Sequence, residues 1–261
     1  MSHRLRRSIQ ITLSLLVIAV PLFTGLSFLT HAGVRDHLDV FAAFLVSPTS
    51  LVLPLIAVVV SCLSLYSELG DRFIANTRAR VSIRERLLVM LISAVGWSFA
   101  LFFLYAFIPF VIAFLIWPAV GDPSIDPAGY HMTPEQAHID ALTRNSYSFL
   151  LSGGDLAYGL IYSVWVGLCG AVFAGLGFGL LLIVSNRILA LAIPFVIYVG
   201  GTLGAAVIGT PSLGFLYSIF PAGIQPVQPL AAIAPMVALG VVAIVVLAPA
   251  IARSPTNARL S

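Results

Sequence analysis

Apolar residues in this sequence fall in long unbroken runs, with neither the alternation of a half-buried strand nor the polar face of a surface helix. Runs long enough to cross about 30 Å of hydrocarbon occupy 9–29, 51–66, 87–117, 156–184, 188–208 and 230–251. They predict an all-α integral membrane protein in which 1–261 is a single transmembrane domain, a bundle of six transmembrane helices. The second run is short and the third long. At 1.5 Å per residue the third rises about 46 Å, so tilting or a bend at Pro109 has to absorb the excess. The first follows Arg4, Arg6 and Arg7 as a signal peptide would, but its apolar run is about twice the usual length, so it is read as a span.

Composition agrees: 60% of residues are hydrophobic and 9% charged, against about 25% charged in soluble domains. A water-soluble enzyme is excluded. All thirteen basic residues are arginine, and their distribution reads as topology. With six spans both termini share a side. Placing both in the cytoplasm puts Arg4, Arg6, Arg7, Arg72, Arg78, Arg80, Arg84, Arg86, Arg187, Arg253 and Arg259 inside, leaving only Arg35 and Arg144 outside. The net charge of +3 therefore marks orientation, and nucleic acid is rejected as a partner. Cys62 and Cys169 both lie in apolar runs and predict neither a disulfide nor a thiolate metal site. The extracytoplasmic loop 118–155 is too short for an ordinary independent domain. Within it Thr133, Pro134 and Gln136 have the residue types of an N-cap, N1 and N3, which predicts a short helix running toward Leu142.

The spans are poor in chemistry. Ion-coupled transport needs titratable groups at membrane depth, yet 156–252 contains one charged residue, Arg187. Hydrolase motifs are missing, and without lysine a Walker A loop cannot form in its usual shape. Enzyme activity is not expected of this chain, and transport driven by ATP requires a second polypeptide. His131, Glu135 and His138 do not suit a metal, because His131 precedes the cap Thr133; His37 reads as a solvated partner of Asp36 and Asp39. Trp117, beside Pro118, is placed at the membrane interface, with Trp97 and Trp165 packed inside the bundle. Gly167, Ala171, Gly175 and Gly179 form a small-residue ridge at i+4 spacing, suited to close helix packing within the chain or at a dimer seam.

The most distinctive polar segment is the loop 67–86, with Glu68, Arg72, Phe73, Ile74, Arg78, Arg80, Arg84 and Arg86. Phe73, Thr77 and Val81 share a helical face on which Arg80 and Arg84 intrude, so a short interfacial helix fits better than one long amphipathic helix. Contact with anionic membrane lipid explains these arginines without any partner.

This loop, the outer segment before Pro54, the long third span, the glycine-rich fourth span and the turn Asn186-Arg187 leading to Tyr198 together resemble the six-span permeases of the ABC-2 type, bacterial exporter subunits. The similarity covers most of the chain from Leu51 to Tyr198; the wide loop 118–155 departs from it. The resemblance implies a permease subunit in a bacterial cytoplasmic membrane, a second permease copy or homologous permease, and a separate ABC-type ATPase. No cofactor is implied in this chain; ATP and magnesium belong to the ATPase, which docks on the loop 67–86. Two other readings are a non-transporting scaffold or assembly protein and the substrate-capture component of an ATP-driven importer.

Overall fold

The computed structural model describes residues 3–70, 82–220, 226 and 228–253. Each predicted span is one helix long and apolar enough to cross a membrane. These are α1 (His3–Leu29), α3 (Pro48–Gly70), α4 (Ile83–Val111), α6 (Asp155–Ile183), α7 (Arg187–Val207) and α9 (Pro229–Ala252), with shorter helices α2 (His37–Leu45), α5 (Pro134–Thr143) and α8 (Phe215–Ile219) between them. Among the described residues there are no strands, only one isolated parallel bridge between Val34 and Ile125. Helix starts follow local chemistry. Ser82 accepts from the Glu85 N–H at the start of α4, and the Asn186 side chain accepts from Ile188 and Leu189 at the start of α7. Just beyond Pro109 the helix widens into a π turn over Ile112–Ile116 before its last turn at Trp117–Ala119, so that the apolar helix runs continuously over Ile83–Ala119.

α6 is the axis of the bundle. It is apolar on every face, and 72% of its central window is buried, against 17% for α7 and 22% for α1 and α9. Neighbours reach it over glycines. A Cβ at Gly170 would overlap the Phe102 ring, and one at Gly177 would overlap Val58. These two glycines are seven residues apart and share a face. The ridge at i+4 spacing instead turns about 40° per step. It winds from Phe99 of α4, 3.0 Å from a Cβ at Gly167, to Val246 of α9, 3.1 Å from one at Gly179. Between them Gly175 has nothing nearer than Val95 at 4.0 Å, and with Ala171 it lines an apolar groove of about 400 Å³ against Met236 and Gly240 of α9.

Trp97, expected inside the bundle, is 42% exposed, whereas Trp117, at the end of the span, is 8% exposed with its indole N–H donating to Pro123 O of the adjoining loop at 2.8 Å. The run 87–117 has almost no polar residue to mark its solvent face, so its orientation could not be read from periodicity.

α2 and α8 were not foreseen. The end of α2, where Tyr105 Oη donates to Leu45 O at 3.4 Å, Pro54 within α3 and the end of α8 all break the backbone ladder inside the packed bundle, where freed carbonyls need partners. Tyrosines supply them. Pro54 has no N–H for Ser50 O, four residues earlier, and the Tyr198 hydroxyl donates to that carbonyl at 2.9 Å. At the end of α8, Tyr147 Oη and Trp165 Nε1 donate to Ser218 O at 2.7 and 2.9 Å, and Tyr162 Oη donates to Ile219 O at 2.6 Å. Tyr162 lies about 10 Å along α6 from its first residue, so α8 is folded back into the bundle.

Candidate functional site

The bundle has two unlike ends. At the arginine end, where α3 finishes and α4 begins, Arg86 Nε and Nη2 both donate to Glu68 Oε2, at 3.1 and 3.0 Å. This pair ties together the two helices that flank the Arg-rich loop. Arg84, two residues before Arg86 in α4, is exposed. Arg72, Phe73, Ile74, Arg78 and Arg80 lie outside the described residues.

Just inside this end is a cavity of about 380 Å³ between α1, α3 and α4, with Phe178 of α6 at its back. Its polar wall is Arg7 and Gln10 from α1, Ser61, Ser64 and Glu68 from α3, and Ser93 and Trp97 from α4. Helical spacing explains the grouping: Ser61, Ser64 and Glu68 follow i, i+3, i+7, as do Met90, Ser93 and Trp97. The cavity is pinned by Gln10 Nε2 donating to Val60 O at 2.9 Å and closed further along by Trp97 Nε1 donating to Ser14 Oγ at 3.3 Å. Ser61 Oγ, on a residue 5% exposed, has no hydrogen-bond partner.

The opposite, cap end is built jointly from residues 30–47 and 118–155. Val34 N–H donates to Ser124 O and Asp126 N–H to Val34 O, both at 2.8 Å, and Tyr130 Oη donates to Gly33 O at 2.8 Å. The predicted helix is α5, with the full capping box between Thr133 and Gln136. His37 pairs with Asp122 at 2.9 Å rather than with its sequence neighbours. Asp36 and Asp39 go to arginine. Arg144, 14% exposed, donates from Nη1 to Asp36 and Asp39 at 3.0 and 2.8 Å, and from Nη2 to Asp36 and Asp140, both at 2.6 Å. Arg35 donates to Asp39 at 2.8 Å and lies over the Tyr130 ring.

The two arginines that sequence asymmetry assigns to this side are thus both neutralised, in a group of two guanidiniums and three carboxylates. Burial works to raise the Asp39 carboxyl, but hydrogen bonding from Arg35 and the charges of Arg144 and Arg35 hold it below its ordinary value of 3.8. For Arg144, desolvation favours loss of the proton, and Asp36, Asp39 and Asp140 overcome it, raising its pKa. The i,i+4 spacings Arg35/Asp39 and Asp140/Arg144 were visible in sequence; that the two pairs meet was not.

Below this network the rings of Phe41, Tyr158 and Tyr162 pack with centroids 5.6 to 5.8 Å apart, and Tyr105 meets Phe220 at 6.0 Å. The gap among Phe41, Tyr158, Tyr162 and Phe220 measures about 20 Å³, room for about one water. One end therefore opens on a polar cavity and the other is filled.

Among the described residues, no three His, Cys, Asp or Glu side chains come together as a metal site; His131 sits in a left-handed turn before α5. No family model, no curated protein and no solved structure matches the chain.

Proposed function

We propose that the chain is the membrane-spanning permease subunit of an ATP-binding cassette exporter, energised by a separate ATPase chain at the arginine end. The observation that carries this reading is the asymmetry of the bundle: a polar cavity of about 380 Å³ opens at one end while the other is packed with aromatic rings and locked by five charged groups. A molecule entering from the first side meets a closed second side, as a subunit that alternates access requires; a scaffold has no use for such a cavity. The arginine excess makes the open end cytoplasmic and both termini with it, in a bacterial plasma membrane. The Glu68–Arg86 pair holds the ends of the loop on which the ATPase docks, so movement of that loop bears directly on α3 and α4, two walls of the cavity. A second permease copy completes the pathway, with the groove at Ala171 and Gly175 one available seam.

The test is affinity purification from native membranes. A partner carrying its own Walker A loop should copurify, and its ATP hydrolysis should rise on binding. Phe73→Ala should weaken that association more than Arg78→Ala, because buried apolar anchors outweigh rim charges. Copurification of no ATPase, with the cavity unaffected by nucleotide, favours the scaffold; a substrate held stoichiometrically by the isolated chain favours the importer component.

A further inference from the structure

We infer that the cavity at the arginine end binds the phosphate-bearing, hydroxyl-rich headgroup of an anionic lipid from the adjoining leaflet. The inference rests on the permease reading only for which leaflet that is, the cytoplasmic one.

Charge and geometry select the ligand class. Among the described residues no carboxylate pairs with Arg7, whereas the other charged group of the wall, Glu68, is held by Arg86. The cavity therefore carries one positive charge in excess, on a guanidinium whose forked donors suit a phosphate diester. Behind it stand the hydroxyls of Ser61, Ser64 and Ser93 and the Gln10 amide, donors and acceptors that match glycerol hydroxyls. Ser61 Oγ is the strongest single sign. A buried hydroxyl left unpaired costs stability, and Ser61, whose Oγ itself has almost no exposed surface, belongs to the wall of a space large enough for a ligand that would satisfy it once the side chain turned toward it.

The rim selects a lipid over a soluble phosphate ester. Ile11 on α1 and Val89 on α4 line the cavity and are themselves 42% and 68% exposed. Both belong to helices long and apolar enough to cross the membrane, so the opening between them gives onto acyl chains. A headgroup in the cavity leaves its chains lying along that apolar flank. The Trp97–Ser14 hydrogen bond limits how far the headgroup can rise.

The test is native mass spectrometry of the full chain released from nanodiscs of matched acyl composition, with phosphatidylglycerol, phosphatidylethanolamine or phosphatidylcholine, and with glycerol 3-phosphate as the soluble arm. One phosphatidylglycerol should be retained per chain, about tenfold in preference to phosphatidylcholine, as loss of one charge-assisted contact implies. Arg7→Gln should abolish the preference and Ser61→Ala should reduce it several-fold. Arg187→Gln, at the same end but outside the cavity, should leave it intact. Thermal midpoints measured without added lipid establish that each variant is folded. Equal loss in Arg187→Gln, or retention in Arg7→Gln, would show diffuse attraction and overturn the proposal. Glycerol 3-phosphate bound as tightly as the lipid would overturn the lipid source. Because the assay contains neither ATPase nor nucleotide, a negative result here with normal ATPase stimulation removes this inference alone. A positive result without any ATPase partner removes the permease reading alone.

Discussion

The cap end and the arginine end use similar side chains to opposite purposes. At the cap end Arg35 and Arg144 are surrounded by Asp36, Asp39 and Asp140, and every one of these five side chains bonds across a turn or between loops. At the arginine end, among the described residues, the Glu68–Arg86 pair joins two helices, and Arg7 lines an open cavity. Charge at one end is consumed in closing the structure, and at the other it is left available. The difference lies less in the number of charged residues at each end than in their pairing, which closes one end and leaves the other open.

The comparison breaks most sharply at Arg144. Arg144→Met leaves three half-buried carboxylates with one guanidinium among them, a loss of about 3 kcal/mol. It should lower the thermal midpoint and raise hydrogen exchange across 34–39 and 134–144, leaving exchange around Glu68 unchanged. A smaller effect is expected from Tyr162→Phe, which removes the hydroxyl donating to Ile219 O and costs about 1–2 kcal/mol. Faster exchange confined to 215–220 would establish that the tyrosine holds α8 in the bundle; unchanged exchange there would show that α8 needs no such tether.

Glu68→Gln should cost under about 1 kcal/mol, since it breaks one ion pair near the surface where Arg144→Met breaks a network. A loss as large as that of Arg144→Met would erase the contrast between the two ends. Smallest of all is the response to mild acid. The depressed Asp39 pKa contributes stability above its unfolded value near 3.8, and that contribution is lost only as pH falls through the lower folded value. The cap should therefore keep its exchange protection from neutral to mildly acid pH and loosen below about 3.8.

Much of the framework was legible because hydrophobic length is a strong signal. All six spans lie within a few residues of their predicted ends, and the Thr133/Gln136 capping box is where its residue types placed it. What escaped notice depends on meetings between distant segments. Arg144 finds Asp36 over a separation of 108 residues, and no local pattern announces it. α8 is five residues long, too short for a periodic signal, and is held by aromatic donors from α6 and the cap. The cavity was missed for a related reason. Ser61, Ser64 and Ser93 are small hydroxyls in apolar runs, where a helical serine ordinarily announces no site; only the placement of α1, α3 and α4 shows that they share a space with Arg7. Trp97 is exposed where packing was expected because an all-apolar run hides which of its faces is covered.

The central claim is that the cavity opens on the cytoplasmic side while the cap end is shut. It is tested most directly by Ser61→Cys in a background carrying Cys62→Ala and Cys169→Ala, probed with a membrane-impermeant thiol reagent, with His138→Cys marking the cap side. Ser61→Cys should label in inside-out vesicles and resist the reagent on intact cells, with His138→Cys doing the reverse. Labelling of Ser61→Cys from the outside, while His138→Cys also labels there, would contradict the account.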